Sequence, residues 1–101
     1  MKNNTIEVLS MPKNFDYKNI SEIEYLWKET FLKKPETVGV DFSAVESFDT
    51  IALGFLVKFY KLAVSNDIKF HFFNVSSDLL KVFERTKINR FIIVKPGNDF
   101  N

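Results

Sequence analysis

Between Thr5 and Val94 the hydrophobic pattern changes period again and again, from two residues to about 3.6 and back. Thr5–Ser10 alternates, with Ile6 and Val8 on one side and Glu7 on the other, and so predicts a half-buried strand. Met11–Asn19 contains Pro12 among polar residues and reads as a loop or a poor second strand. Ser21–Lys33 predicts a helix: Ser21 and Glu24 form a capping box, Ile20 can staple against Tyr25, and Ile23, Leu26, Trp27, Thr30 and Phe31 recur at helical spacing. Lys34-Pro35 stops it. Thr37–Phe42 is a second strand with Val38, Val40 and Phe42 on one face, followed by an irregular connection over Ser43–Phe48.

Asp49–Ser65 predicts a second helix, capped by Asp49 or Thr50. Apolar residues go nearly all the way round it. The core face centres on Ala52, Leu56, Phe59 and Ala63, which leaves Ile51, Phe55 and Leu62 at a margin beside Gly54 and Lys58. That is more apolar surface than a small domain can cover, and a homodimer face is one expected use of it. Ile68–Phe73 is a strand with Ile68, Phe70 and Phe72 inward and Lys69 and His71 outward. Ser76–Thr86 is a third helix with Leu79, Val82 and Phe83 inward, and Phe91–Val94 a last short strand ended by Pro96-Gly97. No closing helix is expected beyond it.

Strands alternating with helices call for right-handed crossovers and a mostly parallel sheet. The expected fold is therefore α/β, with four or five strands and helices packed mainly on one face. At 101 residues the chain is expected to form a single domain over 1–101, because either half alone would bury too little. Twelve phenylalanines supply large flat rings for its core.

Composition removes several chemistries. There is no cysteine and one histidine, so neither a disulfide framework, a thiolate metal site nor a Cys nucleophile is expected, and no metal or other cofactor. Residues 1–50 hold six Lys/Arg against nine Asp/Glu, and residues 51–101 eight against four. A charge gradient of that size orients a partner but does not mark a nucleic-acid binder. Lys69, His71 and Phe73 lack the further basic residues and glycine-flanked aromatics of a single-strand-binding patch; His71 reads as a solvent-side strand residue, and Glu22, Glu24 and Glu29 as a solvated helix face. Gly39, Gly54 and Gly97 lie too far apart to cradle a phosphate. No enzyme is expected. Met1–Ser10 carries Lys2, Asn3, Asn4 and Glu7 without a long apolar run, so a cytoplasmic location with no direct membrane insertion is the expectation.

The informative stretch is Asp41-Phe42-Ser43-Ala44-Val45-Glu46-Ser47-Phe48-Asp49-Thr50-Ile51-Ala52-Leu53-Gly54. A strand ends in Asp-Phe-Ser, a loop follows, and Asp-Thr opens a very apolar helix. Free N–H groups and the positive dipole end make a helix start tolerant of an anion, so Thr50 is a reasonable phosphoacceptor. A phosphate there adds roughly −1.5 to −2 charges beside the ledge of Ile51, Gly54, Phe55 and Lys58, enough to abolish docking of a partner. The candidate partner-binding patch is Asp49, Thr50, Ile51, Gly54, Phe55 and Lys58, with Ser47 and Phe48 on the approach.

These motifs resemble the STAS domains, the family of sulfate transporters and anti-sigma-factor antagonists, from Val38 to Val94. Val38–Ser43 is similar to the family's strand ending in Asp-Leu-Ser. Asp49-Thr50-Ile51-Ala52-Leu53-Gly54 is similar to its Asp-Ser-Ser-Gly-Leu-Gly segment, and Asn74-Val75-Ser76 with Val82-Phe83-Glu84-Arg85-Thr86 to its closing strand–helix unit. The resemblance implies a βα superhelix and a binding module without catalysis. It also implies a partner that is an anti-sigma factor and serine-protein kinase, with phosphorylation at the hydroxyl residues after the Asp. Here the second hydroxyl position is Ile51, so Thr50 alone remains. Asp49-Thr50 followed by small or apolar residues is similar as well to the STAS subunit of Mla-type lipid-transport ABC systems, which implies docking on a transporter ATPase as the alternative.

Overall fold

The structure is a computed structural model, and it describes residues 5–97. Four parallel strands form the main sheet in the order β1 (Ile6–Ser10), β3 (Thr37–Asp41), β5 (Lys69–Phe73), β6 (Ile93–Val94). Helices α1 (Ile20–Leu32), α2 (Thr50–Ser65) and α3 (Ser77–Thr86) provide the crossovers, and a 3-10 turn, Ile88–Arg90, leads from α3 into β6. Between them β2 (Asn14–Phe15) and β4 (Ser47–Phe48) pair as a separate two-stranded parallel ribbon. The fold is α/β as the alternation of periods requires.

Register decides which strand residues are inside. Leu9 pairs with Val40, Val38 with Phe70 and Val40 with Phe72, and these side chains share the face that the helices cover. The same register corrects the reading of β1. Ile6 and Val8 lie on the opposite face and are 53% and 51% exposed, while Leu9 is the buried residue. Glu7 falls on the helix side because the end of α1 receives it: the Lys33 ammonium lies 3.2 Å from its carboxylate. On β5 the expected split holds, with Phe70 and Phe72 buried, Lys69 exposed and His71 half-buried.

Among the described residues a connected set of ten rings fills the space under the helices. The Trp27 ring lies edge-on to Phe55, Phe59 and Phe70, at 4.8, 5.1 and 5.7 Å between centroids. Phe15 carries the set across to Phe42 and Phe48, and Phe42 to Phe72 and Phe83. Phe55 therefore belongs to the core and not to the margin of α2: it is 7% exposed, held by Phe15 and Trp27. The remaining margin residues stand as expected, Ile51 and Leu62 being exposed and Ala52, Leu56, Phe59 and Ala63 buried.

Helix ends show where local signals decide and where they do not. Ser76 caps α3 by accepting the Leu79 N–H, and Asp49 caps α2. At α1 the capping box does not form. The helix starts one residue earlier, after Asn19, whose side chain is spent on closing the preceding turn against Asn14 and Asp16. Glu24 instead meets Lys28 and Lys58, and Tyr25 and Leu26 are exposed, so neither the staple nor Leu26 contributes to the core. Phe91, expected to open the last strand, sits exposed in the turn before β6 with its ring 6.0 Å from that of Tyr60. The expected lack of a closing helix concerns residues 98–101, outside the described residues. Among the described residues no helix is long and apolar enough to cross a membrane.

Trp27 is fully buried at the meeting point of α1, α2 and β5. Trp27→Ala should lower stability by about 3–5 kcal/mol, from lost burial plus the cavity left behind. Equilibrium urea unfolding followed by far-UV circular dichroism measures this directly.

Candidate functional site

The site is built where β3 hands over to α2. Asp41 ends the strand, and its Oδ1 accepts the Ser43 N–H at 2.9 Å and the Asn74 side-chain amide at 3.0 Å. The turn is thereby tied to the end of β5. Burial works against ionisation of Asp41, but the bonds from Ser43 and Asn74 outweigh it and hold the carboxyl below its usual range. The Phe42 N–H also donates to the Phe73 carbonyl, 3.1 Å away.

The stretch Ser43–Phe48 is not simply irregular. Glu46 and Ser47 donate their N–H groups to the Lys13 carbonyl, and β4 pairs with β2 at Asn14–Ser47 and Phe15–Phe48. Ser47 is thus half-buried, its hydroxyl donating to Asp16 Oδ2 at 2.6 Å. Asp16 is itself buried and accepts the Lys18 N–H; the Ser47 hydroxyl is the main cause of its lowered pKa. Phe48 is half-buried as well, edge-on to Phe15 and Phe83. These two approach residues are clamps more than contact surface.

Asp49 faces two ways. Its Oδ1 accepts the Ala52 N–H at 2.9 Å, closing the first turn of α2, and its Oδ2 accepts the Tyr17 N–H at 3.0 Å from the segment before α1. One carboxylate therefore fixes both the helix start and the loop beside it. Thr50, the next residue, is exposed at the first helical position. Ile51 is 52% exposed, and Gly54 and Lys58 follow on the outward strip of the helix. A Cβ added at Gly54 would meet nothing within 4 Å, so the glycine leaves a flat, open place on that strip. The Lys58 ammonium is engaged by Glu24 of α1 and lies 5.9 Å from the centre of the Phe59 ring.

The structure thus brings Asp49, Thr50, Ile51, Gly54 and Lys58 together at the surface and withdraws Phe55 beneath them. It adds residues that the sequence did not place in the patch. A shallow depression of about 220 Å³ beside Thr50 is lined by Leu53, Val82, Arg85 and Thr86. Arg85 is 35 residues from Thr50 and carries no local signal of this neighbourhood; only the seating of α3 against the start of α2 creates it. Among the described residues no three His, Asp or Glu side chains gather as a metal-holding group. What the arrangement offers is an exposed threonine at a positive helix end, an arginine lining the same depression, and an apolar ledge.

A family model described as the STAS domain matches residues 2–99, well beyond the stretch Val38–Val94 that carries the motifs. Neither a curated protein nor a solved structure matches the chain.

Two outcomes test this geometry. Asp49→Ala should cost about 1–2 kcal/mol of stability in a urea titration, the range for a lost helix cap. Asp16, lowered from its usual 3.8 in the folded state, adds stability that is present above that value and lost as pH falls through the lower folded one. Urea midpoints of Asp16→Asn measured from neutral to acid pH should therefore fall less steeply at the acid end than those of the unmodified protein.

Proposed function

The chain belongs to the STAS domain family, and from that premise we propose that it is a non-enzymatic, cytoplasmic binding module of the anti-sigma-factor-antagonist kind. It regulates an anti-sigma factor that is also a serine-protein kinase, through the β3–α2 loop and the start of α2. The observation that carries the reading is the exposed Thr50, set at the first turn beside a carboxylate that is bonded on both sides.

In the unmodified state Ile51 and the bare backbone at Gly54 give a partner apolar area, at about 25 cal/mol per Å² before the costs of association. Phosphorylation of Thr50 puts roughly −1.5 to −2 charges on that ledge. The N-terminal N–H groups of α2 and the Arg85 guanidinium favour the added charge within this chain. The partner's apolar surface then faces an anion it cannot pair, and docking is lost.

A second reading rests on Ile51. An exposed apolar side chain at the second hydroxyl position suits permanent docking on a transporter ATPase, with no phosphotransfer. Incubating the purified partner kinase and ATP with the protein separates the two. Mass spectrometry should find one phosphate, on Thr50, and none on Thr50→Ala; an ATPase complex that forms without phosphate on Thr50 would support the second reading and overturn the first. Phe55→Asp would report on folding, because Phe55 is core. The informative docking variant is Ile51→Asp, expected to weaken partner binding at least about tenfold while leaving the unfolding midpoint close to that of the unmodified protein.

A further inference from the structure

Apart from its buried face, α2 carries a second apolar ridge, Leu53, Val57, Tyr60 and Val64, on the flank turned away from α1. Leu53, Val57 and Tyr60 of this ridge wall, with Ile88 and Phe91, an open groove of about 330 Å³, and Val64 lines the depression that adjoins it. The groove continues past Thr86 toward Arg85 at one end, and past Phe91 toward Lys69 and Ile93 at the other. Leu53 to Val64 spans about 16 Å, three helical turns. Lys61, Lys69 and Arg85 line its length, and the one lining carboxylate, Asp49, is already committed to two N–H groups. Lys61 and Arg85 make no ion pair among the described residues.

At the other side of the molecule α1 presents the complement. Tyr25, Leu26 and Leu32 are 64%, 54% and 77% exposed. Glu22 and Glu29 lie on the same outward strip and make no ion pair among the described residues, whereas Lys28 is engaged by Glu24 and Lys33 by Glu7. Glu22 to Leu32 is again about 15 Å of helix. One side is an apolar trough with cations; the other is an apolar ridge of equal length with carboxylates.

We infer that the outer face of α1 of one copy docks in the α2–α3 groove of a second copy, head to tail. The groove is too open to enclose a small apolar ligand, whose outer side would stay wet. An amphipathic helix turns its polar side outward there instead. The contact is heterologous, so each pair keeps one free groove and one free α1 and grows with concentration. Three turns of helix cover less than the ~800 Å² per partner of a standard interface, so the association is weak, and its charges make it sensitive to salt. Its Arg85 end is shared with the Thr50 depression, so the measurement uses the unphosphorylated chain without its partner.

Sedimentation velocity of the full chain over a concentration series tests this. The weight-average sedimentation coefficient should rise with concentration at low salt and rise less at high salt. Tyr25→Asp spoils the ridge and Val57→Asp spoils the trough; both positions are exposed, and unchanged thermal melts show that the variants fold. Each variant alone should stay monomeric. An equimolar mixture should form a dimer and stop there, because only one intact ridge and one intact trough can meet. A wild-type chain that is monomeric throughout, a rise that both variants retain, or a mixture that stays monomeric would each overturn the inference.

Discussion

Everything in this fold leans on the ring cluster that joins Trp27 to Phe15, Phe55, Phe59 and Phe70. A chain of this length has little area to bury, and large flat side chains give the most per residue. The cluster does more than stabilise. Phe55 and Phe59 fix the rotation of α2 about its axis, so the strip bearing Thr50, Gly54 and Lys58 must face outward. Phe48, edge-on to Phe15 and Phe83, holds the loop that precedes it. Trp27 Nε1 is buried with no hydrogen-bond partner among the described residues, a desolvation cost of about 1–3 kcal/mol.

Polar groups complete what the rings begin. Asp16, Asp41 and Asp49 each accept bonds from segments distant in sequence: from Ser47 to Asp16, from Asn74 to Asp41, from Tyr17 to Asp49. The three carboxylates sit around one turn of chain. They convert a flexible-looking connection into a fixed platform. A binding module needs that, because a contact surface ordered in advance does not lose conformational freedom again when a partner arrives.

The surface left over is divided by charge as well as by polarity. Apolar side chains remain exposed on α1 and along α2 because three helices on one sheet face cannot cover one another completely. Acidic groups gather near the first and basic groups near the second. That division follows from the uneven charge of the two halves of the chain, and it gives the molecule two dissimilar faces.

Periodicity alone determined the alternation of the main strands with the three helices, the parallel sheet and the Ala52, Leu56, Phe59 and Ala63 face of α2, and narrowed its cap to Asp49 or Thr50, because these depend on spacing within a few residues. The resemblance in Asp49–Gly54 pointed to the right family for the same reason, since a strand–loop–helix junction is a local motif. Which face of β1 is buried was beyond it: Ile6, Val8 and Leu9 are all apolar, and only the register against Val40 chooses among them. The burial of Phe55, the ribbon joining Ser47 to Asn14, and the place of Arg85 beside Thr50 were likewise decided by tertiary structure. Each depends on a contact between segments far apart in the chain, and no local pattern of residues encodes where such segments meet.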